Sequence, residues 1–493
     1  MESISIQNLS FAYPGQPELF KNCNLNIDDS WQLGLLGRNG RGKTTLMKIL
    51  LGELDYTGKI NSRLAFCYFP LAIGDVNQLT AEALVDAVPG QLELWQIERE
   101  LNLMKVDPAL LWQPYGTLSG GEQTKVQLAT LFAQTDFFML LDEPTNHLDQ
   151  QGRQQVADYL NNKQQGLIVT SHDRDFLDQV VDHTLVIERH DLVLSHGNYS
   201  AYFAQKQRRD QEAIASNHHL KAEIKDLARS RQQRLQWAQR AEGEKKHNSH
   251  ADKGFIGAKA AKMMKKTITT SNRLSKAIDE RQGLLKEVET IESLPINMVA
   301  SHHSTLVNLD RVSLTINERR LFDPISLTVG PHEQVAVIGP NGAGKSSLFR
   351  AIAGHFNGQV NGQIDIAHGI KISYVHQQFQ HHGSLASFAK DNQLSYETLL
   401  TILRKLGMER RTFTVPIEEM SMGQQKKVEI ARSLATPSQL YIWDEPLNYL
   451  DTYNQDQLIQ LIKEMRPPLL FTEHDQHFIQ AVASQKVQLF PGK

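Results

Sequence analysis

The sequence predicts an α/β protein in which two similar domains follow one another and a long α-helical hairpin joins them. The glycine-rich motif G-x-x-x-x-G-K-[ST] occurs at residues 37–44 and again at 339–346. Five further polar residues follow each copy at the same offset of 302 residues, namely Ser119, Asp142, Glu143, Asp149 and His172 with Ser421, Asp444, Glu445, Asp451 and His474. A shared register of this kind indicates a tandem repeat. No proline interrupts residues 203–294, which lie between the copies.

Each glycine-rich loop follows an apolar strand pattern and precedes a helix pattern. The strands are predicted at 33–36 and 335–338, and the helices at 46–51 and 348–352. This context supports phosphate binding, because loop amides and a helix N-terminus face the anion. We therefore expect both loops to bind ATP, with the two lysines on the β- and γ-phosphates. The expected binding residues are Gly37, Asn39, Gly40, Gly42, Lys43, Thr44 and Thr45, and Gly339, Asn341, Gly342, Gly344, Lys345, Ser346 and Ser347.

An acidic pair ends a second apolar strand in each domain, 99 residues after the loop lysine. An isolated Asp-Glu pair is usually part of a turn, but the shared spacing favours a site beside the phosphates. The first acid of each pair is expected to hold Mg²⁺ together with a loop hydroxyl, and the second to orient the attacking water. The expected metal ligands are Thr44, Asp142, Ser346 and Asp444, and the expected catalytic carboxylates are Glu143 and Glu445.

The overall composition is that of a soluble globular protein, with 40% hydrophobic and 22% charged residues. No run approaches the ~18–20 apolar residues of a membrane span, and the N-terminus lacks the features of a secretory signal. Cys23 and Cys67 are the only cysteines, which excludes a disulfide framework and a cysteine-built zinc or iron–sulfur site. We therefore expect a cytoplasmic protein with no membrane segment.

Positive charge is concentrated between the two domains. Residues 206–287 hold about twenty Lys and Arg against about ten Asp and Glu, although the whole chain carries a net charge of −3. Such a run is usually a solvated helical surface, but clustered basic charge also neutralises nucleic-acid phosphates. The candidate phosphate contacts are Lys245, Lys246, Lys253, Lys259, Lys262, Lys265 and Lys266.

The same segment is rich in helix-forming residues. Turn-forming residues interrupt it centrally, at Gly243, Asn248, Ser249, Gly254 and Gly257. We predict two long helices that fold back on each other, with a loop near residues 243–257. A disordered connector is the alternative, against which apolar residues at helical spacing argue. The predicted domains are 1–200, 201–300 and 301–493.

Further motifs resemble those of ATP-binding cassette (ABC) proteins. Residues 118–123, Leu-Ser-Gly-Gly-Glu-Gln, resemble the signature motif, and a helix is predicted after them over 124–133. His172 and His474 resemble the switch histidines that sense the γ-phosphate, although each alone would more often be structural. Residues 147–149 and 449–451 resemble the loop that passes between paired cassettes.

This resemblance implies two ABC-type P-loop domains that close head to tail around two ATP molecules. Each ATP would lie between the phosphate loop of one domain and the signature of the other. The first site would then receive Ser421, Gly423 and Gln424, and the second Ser119, Gly121 and Glu122. ATP would favour the closed form and hydrolysis would reopen it.

Two cassettes with a basic helical hairpin between them resemble the ABC-F family, over essentially the whole chain. Members of that family bind the tRNA exit site of the ribosome and extend the hairpin toward the peptidyl-transferase centre. Residues 255–264, 420–424 and 443–450 resemble the Lsa/Vga antibiotic-resistance branch. This resemblance implies protection against lincosamides, streptogramin A compounds and pleuromutilins, with rRNA and P-site tRNA contacted through residues 206–287. It also implies a monomer with intramolecular pairing of the cassettes.

Departures from the family pattern predict unequal sites. Met422 replaces the first glycine of the second signature. Leu71 stands where the second domain retains Gln377, a residue the family often carries. Tyr13 is placed to stack on the first adenine, whereas Thr315 occupies the matching position in the second domain.

Three other functions remain open from the sequence. A housekeeping ABC-F translation or assembly factor would share every ATPase residue. However, such factors often carry an arm in the first cassette, and the equal spacing of 76 residues from loop lysine to signature serine leaves no room for one. The end of the chain soon after His474, without a long basic tail, is expected to fit the resistance branch as well. An exporter subunit would have no use for the basic hairpin, and DNA-repair ATPases usually add zinc sites.

Overall fold

The computed structural model describes residues 3–88, 90, 92–146, 148–188, 191–244, 253–285, 291–377 and 381–492. The chain divides into two compact units, residues 1–202 with 291–493, and residues 203–290. The first unit contains both glycine-rich domains. His147, Lys245 and Lys246 lie outside the described residues, as do the side chains of 238–261, 263 and 264.

The first domain alternates strands and helices after an antiparallel start. Its strands are β1 (Ser3–Phe11), β2 (Phe20–Asp28), β3 (Gln32–Leu36), β4 (Thr57–Asn61), β5 (Ala65–Phe69), β6 (Phe137–Asp142), β7 (Leu167–Thr170), β8 (His183–Glu188) and β9 (Asp191–His196). Its helices are α1 (Lys43–Leu50), α2 (Thr80–Ala87), α3 (Leu94–Leu103), α4 (Gly120–Phe132), α5 (Gln150–Asn161) and α6 (Arg174–Val180).

Two long helices follow, α7 (Tyr199–Glu244) and α8 (Lys253–Gly283). Arg281 on α8 pairs with Glu223 on α7 at 2.6 Å, and Arg231 Nε donates to Ser271 Oγ at 3.1 Å. From the first pair to the second, the residue number rises on α7 and falls on α8. The two helices therefore run antiparallel, which confirms the predicted hairpin. Of the expected turn residues, Gly243 lies in the last turn of α7, and Gly254 and Gly257 lie in the first turns of α8. Asn248 and Ser249 lie outside the described residues. A helical glycine costs only about 1 kcal/mol against alanine, and the surrounding Ala, Lys and Met favour helix.

The second domain repeats the first. Its strands are β10 (Val307–Ile316), β11 (Arg319–Arg320), β12 (Ile325–Val329), β13 (Gln334–Ile338), β14 (Gln359–Ile366), β15 (Ile372–Val375), β16 (Leu440–Asp444), β17 (Leu469–Thr472) and β18 (Gln485–Gln488). Its helices are α9 (Lys345–Ile352), α10 (Leu385–Asp391), α11 (Tyr396–Lys405), α12 (Met422–Ala435), α13 (Thr452–Met465) and α14 (Gln476–Val482).

The central sheet of each domain places the phosphate-loop strand between two parallel neighbours. The strand order is β5-β6-β7-β3-β8-β9 in the first domain and β15-β16-β17-β13-β18 in the second. The carboxyl ends of parallel strands lie at one edge of a sheet, so β3 and β6 deliver their loops to the same edge. The apolar strands β6 and β16 are buried, with Phe138 and Trp443 fully enclosed. The predicted tandem α/β architecture is therefore confirmed.

The described helices include none that combines the length and apolar content needed to cross a bilayer.

Candidate functional site

Both glycine-rich loops wrap around the ammonium group of their own lysine. Lys43 Nζ donates to the carbonyl of Gly37 at 2.6 Å and to Asn39 Oδ1 at 3.2 Å. Lys345 Nζ donates to the carbonyl of Gly339 at 2.8 Å. Burial lowers the pKa of both lysines, against the raising effect of the nearby acidic pairs. Each loop therefore presents a cation beside a helix N-terminus, which is a suitable arrangement for phosphate.

The helix that follows each loop begins at a glycine that other residues would strain. Gly42 and Gly344 cap α1 and α9 with φ of 95° and 88°, in the left-handed region. A Cβ at Gly42 would also lie 3.1 Å from the Phe20 ring. Glycine is thus required for both backbone conformation and close packing.

The first acid of each pair lies against a loop hydroxyl, as an Mg²⁺ site requires. Asp142 Oδ2 accepts from Thr44 Oγ1 at 2.9 Å, and Asp142 Oδ1 accepts from Thr170 at 2.6 Å. Asp444 hydrogen-bonds Ser346, and among the described residues its buried Oδ1 has no hydrogen-bond partner. Burial raises the pKa of Asp444 to about 6. An orphaned buried carboxylate oxygen beside a hydroxyl fits a hard cation, so Thr44, Asp142, Ser346 and Asp444 fit Mg²⁺.

The second acid of each pair is held in a strained backbone conformation. Glu143 and Glu445 have φ of 55° and 48°, values that non-glycine residues adopt at a cost of about 1–3 kcal/mol. The amide of Glu143 donates to the carbonyl of Thr170 at 3.1 Å, and the amide of Glu445 to that of Thr472 at 3.1 Å. The end of the neighbouring strand therefore fixes both carboxylates at the edge of the sheet.

The two carboxylates differ in their surroundings. Glu445 Oε2 accepts from Gln377 at 2.8 Å and from Asn448 at 2.7 Å. Burial opposes ionisation of Glu445, but the nearby His474 ring, at 3.6 Å, and these amides lower its pKa to about 2. Near Glu143 the balance is reversed, because burial outweighs the attraction of Lys43 and raises the pKa of Glu143 to about 7.

Each expected switch histidine lies beside its glutamate. His172 Nε2 is 3.3 Å from Glu143 Oε1, and His474 Nε2 is 3.6 Å from Glu445 Oε1, beyond hydrogen-bond distance. Burial and the charge of Lys43 lower the pKa of His172 to about 3, so the ring is neutral near pH 7.

Each phosphate loop shares a cavity with the opposite domain. The first cavity, about 540 Å³, is lined by loop residues, including Lys43 and Thr44, and by the second signature, including Ser421, Gly423 and Gln424. The second cavity, about 420 Å³, is lined by Lys345, Ser346, Gln377 and Glu445, and by Gly120 of the first signature. The first cavity thus brings together the groups that the family resemblance implied. At the second cavity the first signature contributes Gly120, whereas the expected Ser119, Gly121 and Glu122 are not among the lining residues.

Both signature serines cap the helix that follows them. Ser119 Oγ accepts from the amide of Glu122 at 3.3 Å, while Glu122 Oε2 accepts from the amide of Ser119 at 2.8 Å. Ser421 and Gln424 form the equivalent pair. Because this reciprocal capping starts the helix at once, α4 begins at Gly120 rather than at the predicted residue 124.

Other site residues were not anticipated from the sequence. Asn448 bonds the second glutamate, and residues 407–409, 411 and 412 line the first cavity near Tyr13. The offset of 302 residues pairs Asn448 with Asn146, which is the sequence signal that identifies this position. Tyr13 lines the cavity, and its hydroxyl lies 3.1 Å from Thr45 Oγ1. Stacking of Tyr13 on adenine stays a prediction.

Asn39 and the opposite domain hold the first cavity closed. The amide of Asn39 donates to Asp451 Oδ2 at 2.9 Å, and its side chain donates to the carbonyl of Tyr449 at 3.2 Å. The equivalent contact at the second cavity is longer, with Asn341 N at 3.5 Å from Asp149 Oδ2.

Substituting Gly423 with alanine is expected to impair the first site. The added Cβ would lie 2.9 Å from the Tyr449 carbonyl, which accepts the Asn39 side chain. Overpacking costs about 1–3 kcal/mol, so hydrolysis at this site is expected to fall about tenfold or more. Single-turnover rates in a Glu445→Gln background isolate the first site. An equal loss in a Glu143→Gln background would show that the effect is not local.

Comparisons with known proteins agree with this geometry. The ABC transporter family model matches residues 20–146 and 322–448. The ribosome protection protein VmlR of Bacillus subtilis is 26% identical over 99% of this chain and 86% of its own length. The erythromycin resistance ATP-binding protein MsrA of Staphylococcus epidermidis is 26% identical over 94% of both chains. The archaeal ribosome recycling factor aABCE1, solved with the ribosomal stalk protein aP1, has a similar fold, with a TM-score of 0.62 and 18% identity, covering 99% of this chain and 88% of that one.

Proposed function

Because the chain belongs to the ABC transporter family, with relatives consistent with the ABC-F group, we propose that it is an ATP-driven, ribosome-binding protection protein. It shields the ribosome from antibiotics that act at the peptidyl-transferase centre. One observation carries this proposal. The match to VmlR spans 99% of the chain and so includes the basic hairpin, which the family model leaves out.

ATP binding and hydrolysis in the two shared cavities drive closing and reopening of the two domains. Lys43 and Lys345 bind phosphate. The opposite domain contributes Ser421 to the first cavity and the first signature, through Gly120, to the second. ATP with Mg²⁺ supplies the charge that both sides bind and the phosphoanhydride bond that is cleaved. Binding that requires both domains stabilises the closed form, and loss of the γ-phosphate releases it. Glu143 and Glu445 orient and deprotonate the attacking water at their respective sites.

The hairpin supplies the contact with the ribosome. Its excess of Lys and Arg neutralises RNA phosphates and positions the protein without reading sequence. In the closed form it reaches rRNA and P-site tRNA from the tRNA exit site, and it displaces the tRNA or reshapes the drug pocket. The drug classes are lincosamides, streptogramin A compounds and pleuromutilins. Such a protein works as a monomer in the cytoplasm, where ribosomes are.

A susceptibility panel in a drug-sensitive host tests the proposal. Wild-type protein is expected to raise inhibitory concentrations severalfold for lincomycin, a pleuromutilin and a streptogramin A. The Glu143→Gln/Glu445→Gln double variant is expected to lose this protection. An aminoglycoside, which acts at the decoding site, is the control drug and should be unaffected.

The outcomes separate the proposal from its alternatives. No change in susceptibility with well-expressed, ribosome-bound protein would contradict protection and favour the housekeeping factor. Sedimentation with membranes rather than ribosomes would favour an exporter subunit. A triple Lys262→Glu/Lys265→Glu/Lys266→Glu variant is expected to keep ATPase activity and lose ribosome binding.

A further inference from the structure

The start of helix α13, residues 452–457, contacts both the first nucleotide site and two residues that flank the hairpin, namely Tyr199 at the start of α7 and Glu292, which follows Gly283 at the end of α8 by nine positions. This segment follows Asp451 directly and belongs to the second domain. Its contacts fall into two groups, one to the first domain and one to the residues that flank the hairpin. These contacts link the first nucleotide site to the residues that flank the hairpin, and the proposed function requires the hairpin to respond to ATP.

The first group joins the α13 start to the phosphate loop and switch region of the first domain. The guanidinium of Arg38 lies 3.9 Å from the centre of the Tyr453 ring. Gln455 Nε2 donates to the carbonyl of the switch histidine, His172, at 3.3 Å. Arg174, two residues further on, donates to Asp456 at 2.7 Å in a largely buried ion pair. The phosphate loop and the switch region of the first domain, which surround the expected γ-phosphate position, therefore contact this helix directly.

The second group joins the same helix start to the residues that flank the hairpin. Tyr199, the first residue of α7, hydrogen-bonds Thr452 and lies beside the Arg174 guanidinium. After the hairpin, the amide of Glu292 donates to the Tyr453 hydroxyl at 3.2 Å. The carbonyl of Glu292 accepts from Gln457 at 2.9 Å. Tyr199 and Glu292, which flank the hairpin, thus both contact the first two turns of one helix.

The sequence provides these side chains for one site only. At an offset of 302 residues, the counterparts of the four coupling side chains Arg38, Arg174, Tyr453 and Asp456 are Pro340, Gln476, Gln151 and Gln154. At the equivalent positions of the second site there are therefore no arginines, no aromatic ring and no carboxylate. Arg153, the counterpart of Gln455, instead pairs with Asp173 inside its own domain at 2.8 Å.

We propose that Arg38 and Tyr453 are positioning residues that couple nucleotide binding at the first site, rather than the second, to the residues that flank the hairpin on both sides. Arg38 carries a displacement of the phosphate loop to the Tyr453 ring, and the Tyr453 hydroxyl carries it to Glu292. Arg174 carries the state of the switch region to Tyr199 through Asp456 and Thr452. This inference rests on the ATP-driven cycle of the proposed function, but not on ribosome binding.

Hydrogen exchange of the full-length protein without ribosomes tests the inference. Exchange is followed at 199–205 and 291–297 in the Glu143→Gln/Glu445→Gln protein with ATP and with ADP. ATP is expected to protect both segments. Adding Tyr453→Gln, which copies the second site, is expected to remove most of that protection. Tyr453→Phe keeps the ring for Arg38 and is expected to lose protection at 291–297 alone.

Matched variants at the second site provide the control. Gln151→Ala, at the position equivalent to Tyr453, is expected to leave the ATP-dependent protection unchanged. Lys43→Ala is expected to abolish the ATP-dependent protection. Lys345→Ala is expected to retain more protection than Lys43→Ala does. Equal losses from the two lysine variants, or protection that survives Tyr453→Gln in a folded protein, would overturn the inference. If these results hold while drug protection fails, only the ribosome-protection proposal is lost.

Discussion

Replacing Glu143 and Glu445 together with glutamine is expected to reduce steady-state ATP hydrolysis by at least about 10²-fold, the usual size of a lost general base. Glutamine keeps the size of the side chain, so Gln377 and Asn448 can still donate to an oxygen at position 445. Binding of ATP should survive because the phosphate loops are untouched. The expected result is therefore a protein that closes on ATP and does not turn it over.

The single variants are expected to differ. Glu445 is ionised and oriented by two amides, whereas burial raises the pKa of Glu143 to about 7. Met422 also caps the first site where a signature glycine is usual, and Leu71 leaves it without the counterpart of Gln377. We therefore expect Glu445→Gln to lower total hydrolysis more than Glu143→Gln does. Single-turnover measurements decide this, and equal residual rates would contradict the predicted inequality of the sites.

Much of the architecture could be predicted because local patterns determine it. A glycine-rich loop of this kind binds phosphate only when a strand precedes it and a helix follows it. The motif therefore predicts the β3–α1 and β13–α9 connections. The repeat then assigns the second domain from the first. The hairpin was predictable from its helix-forming composition, but the helical conformation of Gly243, Gly254 and Gly257 was not, because neighbouring residues can override a single glycine.

The contacts between domains were harder to predict. Arg38 was visible as a departure from Pro340 within the phosphate loop, but no local pattern indicates that its partner is Tyr453, more than 400 residues away. Asn448 was similarly hidden, because its role depends on the left-handed backbone of Glu445. Such pairings arise from tertiary geometry. Aligning the two repeats still identifies candidate coupling residues, because the four coupling side chains differ between the two copies.

Replacing Glu429 with alanine is expected to destabilise the second domain by about 3–5 kcal/mol, as when one partner of a buried ion pair is removed. Glu429 lies on the signature helix α12 and is 1% exposed. It accepts from Arg432 Nε at 2.9 Å and from His381 Nε2 at 3.0 Å. Arg432 also donates to the carbonyl of Tyr374 on β15, the strand that leads to Gln377. Loss of Glu429 would leave that guanidinium buried without its carboxylate.

The same carboxylate is expected to make the domain sensitive to acid. Burial opposes ionisation of Glu429, but Arg432 and His381 lower its pKa from 4.5 to about 2. A carboxyl group with a lowered folded-state pKa contributes its full stability above the unfolded value, and that contribution is lost as pH falls from about 4.5 toward 2. Urea unfolding of wild type and Glu429→Ala across this range should therefore show the two stabilities converging at low pH.

The first domain provides the matched comparison, because Gln127 occupies the position equivalent to Glu429. Its Oε1 accepts from the amide of Leu71 at 2.9 Å, so a neutral bond links the signature helix to the same strand connection. Gln127→Ala removes the acceptor of the buried Leu71 amide and the donor to the Tyr115 hydroxyl. It is expected to cost about 1–3 kcal/mol, with no acid-dependent component. Glu419→Ala, an exposed carboxylate before the second signature, should change stability by less than about 0.5 kcal/mol. If Glu429→Ala resembled Glu419→Ala, the ion pair would not support the link between α12 and β15.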